Sequence, residues 1–148
     1  MIQISRTTQY ALQAVLHLAQ HDDQCLACRE LATNCDMPRR FLLQVLRSLV
    51  QQGVLISARG AAGGYQLSRR PSQISLLDII EGVHGPIDCR LDRAAQLPPA
   101  ATATIDAALR RVAVAVRREL GSVSLAHLVG ALNAAGYHDA ATSGNGAP

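Results

Sequence analysis

Residues 37–68 read MPRRFLLQVLRSLVQQGVLISARGAAGGYQLS. From Pro38 to Gln52 the apolar residues Leu42, Val45, Leu46 and Leu49 recur at helical spacing and make one buried stripe. Arg39, Arg40, Gln44, Arg47 and Gln51 lie largely outside it. Pro38 suits a first helical turn, where its missing N–H costs nothing, and Gly53 ends the helix. The period then changes. Val54–Arg59 and Gly64–Ser68 have the pattern of two short strands, joined by Gly60-Ala61-Ala62-Gly63 as a flexible hairpin tip.

Upstream, Thr7 to His21 predicts a helix with Ala11, Val15, Leu18 and Ala19 on one face, broken by His21-Asp22-Asp23-Gln24. A short helix follows at about Arg29–Asn34, and Cys35-Asp36 forms the turn before Pro38. Helix, turn, helix, then a hairpin with a basic tip is the layout of a winged helix-turn-helix. Any one element is weak evidence; their order and short spacings together decide the fold. Downstream, Ser75-Leu76-Leu77-Asp78 has the form of a capping box with Asp in place of Glu, opening a short helix through Gly82. Residues 85–103, with Pro86, Pro98 and Pro99, read as loop. A long helix from about Thr104 to Leu120 carries Ile105, Leu109, Val112, Val116 and Leu120 at spacings of three and four. That narrow stripe reads as a helix-pairing seam for dimerisation, with ordinary packing inside one chain as the alternative. Ser124 caps a last helix bearing Leu125, Leu128, Val129 and Leu132. The expected class is therefore mostly α with a small β-wing. Residues 1–84 form the winged domain, 85–103 a sensor or linker loop, 104–133 the dimerisation and closing helices, and 134–148 a disordered tail.

The chain has 148 residues, about one domain. With three Tyr, one Phe and no Trp, Ala, Leu and Val must fill the core. A net charge of +3 decides little alone, but its distribution is uneven. Residues 1–75 carry +4 and residues 76–148 carry −1. Between Asp36 and Asp78 stand six Arg (Arg39, Arg40, Arg47, Arg59, Arg69 and Arg70) and no acid. Such a block is the footprint of a phosphate-binding face; a solvated basic surface is the competing reading. The N-terminus is not a signal peptide, and no apolar run is long enough to span a membrane. A cytoplasmic protein with reduced thiols is expected.

On these residues the chain resembles the Rrf-two superfamily of bacterial winged helix-turn-helix regulators (IscR, NsrR and CymR types). The matching pieces are ISRTTQYALQAVLHLA at the start, MPRRFLLQVLRSLVQQGVLIS for the recognition helix, and ARGAAGGYQLSRRPSQISLLDIIEGVHGPI through the wing and beyond. DAALRRVAVAVRRELGSVSLAHLV is similar to that family's dimerisation helix and closing segment. The resemblance implies a homodimer crossed through the long helix and bound to a partly palindromic operator on double-stranded DNA. It also implies regulation of iron–sulfur assembly, nitrosative or redox stress, or sulfur metabolism.

In such a motif the second helix enters the major groove by its N-terminal end. Arg pairs with guanine O6 and N7 through two hydrogen bonds, and Gln pairs with adenine. Arg40 and Gln44 are thus the candidate base readers, and Arg39 a contact to phosphate or a neighbouring base. Phe41 and Tyr65 are expected to pack rather than touch DNA. By resemblance Arg59 reaches into the minor groove, where narrow A·T stretches concentrate negative potential. Gly60, Gly63 and Gly64 let the backbone turn sharply and approach phosphates. Ser5, Arg6 and Thr7 sit just before the first helix, where hydroxyls and the helix N-terminus can bind phosphate.

Cluster-binding relatives carry three Cys in the loop before the dimer helix. Here that loop holds Cys89 alone, whereas iron–sulfur clusters are normally held by several thiolates. A shared site across a dimer with His84, Asp88 or Asp92 is the remaining route to a cluster, and no cofactor or metal ligand set is otherwise expected. Cys25-Leu26-Ala27-Cys28 has the spacing of zinc or redox pairs, with Cys35 further on. Zinc generally needs four ligands, for which only His17 or His21 could complete the set. Cys28 beside Arg29 near a helix N-terminus would have a lowered pKa and be oxidisable. Redox switch, metal site and plain buried thiols all remain open for Cys25, Cys28, Cys35 and Cys89.

The chain therefore reads as a sequence-specific DNA-binding regulator, a repressor acting as a homodimer, with a possible response to redox, sulfur or iron status. A protein-interaction module using the winged fold without DNA is the alternative. An enzyme is not expected: no nucleophile–His pairing has a local signature, and no P-loop or dinucleotide fingerprint occurs.

Overall fold

The computed structural model describes residues 4–91 and 97–136. Helix α1 (Arg6–Gln20) is capped by Ser5, whose hydroxyl accepts from Thr8 N–H. Its buried face is Thr8, Ala11, Ala14, Val15, His17 and Leu18. Helix α2 (Cys28–Asn34) is short and buries Cys28 and Leu31. After a turn in which Asp36 takes a left-handed φ of 47°, α3 (Arg39–Gln51) buries the expected Leu42, Val45, Leu46 and Leu49. Strands β1 (Leu55–Ala58) and β2 (Gly64–Leu67) pair antiparallel, Leu55 facing Leu67 and Ala58 facing Gly64. A single 3₁₀ turn (Pro71–Gln73) leads to α4 (Leu76–His84), then α5 (Pro99–Ser122) and α6 (Leu125–Ala134). Among the described residues, six helices and one two-stranded sheet form a winged helix-turn-helix with a long appended helix.

One core cluster holds the winged domain together. It gathers Ala14, Val15 and Leu18 of α1, Leu31 of α2, Leu42, Leu46 and Leu49 of α3, Leu55 and Leu67 of the wing, Ile79 of α4 and Leu125 of α6. Each fully buried Leu or Ile contributes about 1.5–3 kcal/mol. Tyr10 and Phe41 meet edge to face, with ring centroids 5.4 Å apart, and lock α1 against α3. Gly82 lets α4 approach α3 closely, since a Cβ there would lie 3.0 Å from Leu49 Cδ2.

The capping box forms as the sequence predicts: Ser75 Oγ accepts from Asp78 N–H, and the Asp78 carboxylate accepts from Ser75 N–H. The helix it opens runs two residues past Gly82, to His84. The larger difference is in α5, which begins at Pro99 and not at Thr104, so the loop expected over 85–103 loses its last five residues to the helix. The reason is physical. Pro is accepted in a first helical turn, and the Ala-rich run behind it propagates well. Most of the tail expected from Ala134 onward, residues 137–148, lies outside the described residues, as does Asp92. No helix among the described residues is long and apolar enough to cross a membrane.

Candidate nucleic-acid interface

Burying one face of α3 dictates what the other face presents. Arg40, Gln44, Arg47 and Gln51, at i, i+4, i+7 and i+11, are all exposed and form one stripe opposite the core. The helix starts after Pro38 with no side-chain cap on its first turn, which leaves N–H donors at a positive dipole end free to meet an anion. Arg47 extends the Arg40–Gln44 row. Its place on the row, seven residues past Arg40, was readable from spacing alone.

The wing stands beside this helix. Arg59 is exposed at the end of β1, and the tip turns through Gly60, whose φ of 108° suits glycine. Gly63 N–H closes the turn onto Gly60 C=O at 3.0 Å. Behind the wing, Leu26 and Tyr65 exchange two backbone hydrogen bonds, of 3.0 and 2.8 Å, so the segment before α2 adds one rung to the sheet. Tyr65 packs against the core. Gly64 fits there because a Cβ would lie 2.3 Å from Leu26 C=O oxygen. The structure thus gives Gly64 a packing reason to be glycine, apart from any approach to phosphate.

Of three other expected residues, two have partners inside the molecule. Ser5 Oγ, besides capping α1, lies 2.7 Å from His84 Nε2, which also meets Thr8 Oγ1 at 2.7 Å. Thr7 is half-buried on the first turn of α1. Arg39 is exposed at the start of α3, and its guanidinium hydrogen-bonds the Cys28 thiol. The basic block also divides. Arg69 donates to the carbonyls of Gly53 and Gln73, at 2.9 and 2.8 Å, and pairs with Asp78 at 3.2 Å. It ties the end of β2 to the turn after α3, while Arg40, Arg47, Arg59 and Arg70 remain exposed.

None of the four cysteines is in a disulfide: Cys28 is buried, and Cys25, Cys35 and Cys89 are half-buried. Burial pushes the Cys28 thiol up from its ordinary range, and the Arg39 charge and hydrogen bond only partly offset this. The lowered pKa expected from Arg29 is therefore corrected. Desolvation wins, and the neighbouring cation is Arg39, brought in by the fold. Among the described residues no three His, Cys, Asp or Glu side chains gather into a group that could hold a metal ion. Cys89 is half-buried; two residues before it, Ile87 N–H donates to the Glu81 carboxylate, which also pairs with Arg117 of α5.

The α5 stripe expected to pair with a second copy is only partly used within one chain. Of the 24 residues of α5 only Ala113 is buried, and Val112 is 46% exposed. Ile105, Leu109, Val116 and Leu120 are half-buried.

A family model, Rrf2, described as an iron-dependent transcriptional regulator, matches residues 4–131. Over 88 residues the chain is 38% identical to an Rrf2-like HTH-type transcriptional regulator of Rhodobacter capsulatus, covering 57% of this chain and 59% of that one. Against the first three curated relatives the match spans between 51% and 59% of their length. Among solved structures, the global cysteine regulator CymR of B. subtilis superposes with a TM-score of 0.69 at 28% identity, covering 88% of this chain and 98% of that one. The T. potens IscR structure gives 0.69 at 25% identity, covering 95% and 96%.

Proposed function

This chain belongs to the Rrf2 family of DNA-binding transcription regulators, and on that premise we propose that it binds a partly palindromic operator as a homodimer and represses transcription from it in the cytoplasm. The observation that carries the reading is the exposed Arg40–Gln44–Arg47 row on a helix whose opposite face is fully buried. A helix held so firmly can present that row to a major groove, and the exposure of Arg59 on the wing supports a second contact in the neighbouring minor groove. The long α5, with a single buried residue, supports pairing with a second copy.

The test is duplex binding across a salt series after selection of a preferred site from random duplexes. Affinity is expected to fall steeply with salt, by about 0.9 in the log–log slope for each phosphate contact. A flat response, or selection that returns no shared sequence, overturns the reading in favour of a protein-interaction module. Arg40→Ala should weaken the selected site by about 1–3 kcal/mol and relax preference at one base pair. Competition titration against single-base variants checks both effects.

The iron named in the family description does not fit the donors of this chain. From Gly85 to Pro98 Cys89 is the only thiol, and Asp92-Arg93-Ala94-Ala95-Gln96 add no Cys or His. A redox response has its support in the placement of the Cys28 thiol against Arg39, the first residue of α3, while burial works against the reactive thiolate. We propose that modifying this thiol frees Arg39 and changes operator affinity. Because burial holds the thiol protonated, iodoacetamide at neutral pH should label Cys28 more slowly than a small-molecule thiol, and faster as pH rises. Peptide mass mapping over time reads the rates; labelling as fast as the free thiol overturns that picture.

A further inference from the structure

Away from the interface, a cavity of about 390 Å³ opens between α1, the turn joining α2 to α3, and the end of α6. Its volume falls in the range of small-molecule sites, about 300–1,000 Å³. From α1 it takes Gln13, Leu16, His17 and Gln20, at i, i+3, i+4 and i+7, one face of the helix. The end of α2 and the turn after it supply Asn34, Cys35 and Asp36, and α6 closes one side with Leu132. His17 is 5% exposed, and its Nε2 lies 2.9 Å from the Asn34 amide nitrogen. That contact fixes the turn against α1.

The lining has a definite chemical bias. Two leucines supply apolar surface, and three carboxamides supply donors and acceptors. Asp36 is the only acid, and no Arg or Lys takes part. A phosphate or carboxylate entering here would meet the charge of Asp36 with no Arg or Lys to answer it. An ammonium group would meet Asp36 and amide oxygens, with its hydrocarbon part against Leu16 and Leu132.

We propose that this cavity binds a small organic cation, a primary amine on a short branched apolar stem. Asp36 carries the left-handed φ of the turn, three residues before α3 begins. An occupant there touches the joint that sets the angle of the recognition helix. The resulting change in operator affinity, unlike the binding itself, rests on the DNA-binding reading above.

The test uses the full chain without DNA, titrated with isopentylamine and, as the matched anion, isovalerate, and followed by amide-resolved NMR. Isopentylamine should give saturable shifts at the side-chain amides of Gln13, Gln20 and Asn34 and at the backbone of residues 34–37. Isovalerate should bind at least threefold more weakly. Asp36→Asn, which keeps a residue tolerant of the left-handed backbone, should weaken the amine roughly 2–5-fold, the scale of an exposed ion pair. Leu132→Arg should abolish the shifts. Equal binding of amine and carboxylate, shifts that map elsewhere, or no saturation overturns the proposal. Operator binding is then measured with and without amine. Saturable NMR shifts with no change at the operator keep the site and remove its coupling to DNA.

Discussion

Val112→Glu is expected to split the dimer and lower affinity for the full operator by roughly 100-fold or more. Val112 sits on the α5 stripe and is 46% exposed in the single chain, so a carboxylate there stays hydrated while the protomer is alone. In a paired seam it would be carried into an apolar contact without a cation, which costs several kcal/mol. Two linked half-site contacts gain about 10²–10⁴ over one through effective concentration, and that gain disappears with the seam. Light scattering on the eluting protein should shift from two chains to one, with the helical circular dichroism unchanged. A variant that stays dimeric and binds its operator normally would remove α5 from the interface.

The second large effect falls on folding. In Gly64→Ala the new Cβ would sit 2.3 Å from Leu26 oxygen and 2.5 Å from Leu26 carbonyl carbon, both backbone atoms. Neither can swing aside like the end of a side chain. Relief requires parting Tyr65 from Leu26, and with it two hydrogen bonds of 3.0 and 2.8 Å. Overpacking of this kind costs about 3 kcal/mol, a large share of a typical domain's stability. The midpoint of thermal unfolding should drop by roughly 6–12 °C. Gly60→Ala makes the comparison: φ is 108°, but nothing lies within 4 Å of the added carbon. It should lose only about 1–2 kcal/mol, the scale of local backbone strain. Equal losses at the two positions would mean that the contact with Leu26 is relieved at little cost and does not explain Gly64, which, unlike Gly60, has no left-handed φ.

Patterns of local period were legible before any coordinates. The stripe Leu42, Val45, Leu46 and Leu49 buries as a unit because a 3.6-residue repeat admits only one face to the core. The capping box at Ser75 and Asp78 needs only three residues of chain, so its spacing was enough. The start of α5 was misplaced because Pro98-Pro99 serves a loop and a helix entry equally well. On the proposed interface, helix phase and hairpin position, both local, point to Arg40, Gln44 and Arg59. Arg69 was not legible in this way, since its carbonyl partner Gly53 lies 16 residues away and belongs to another turn. The same holds for Cys28, whose cation is Arg39 and not its sequence neighbour Arg29. Contacts between distant segments carry no period, and charge counting cannot tell a guanidinium that faces water from one that braces the fold.

The rung formed by Leu26 and Tyr65 makes the wing a fixed jaw and not a loose flap. Wing and recognition helix are then two arms of one caliper, their gap set by the core before any duplex arrives. On the proposed docking, a duplex that matches this gap would be gripped at little cost in ordering the protein, while one with the wrong groove spacing would have to bend itself to fit.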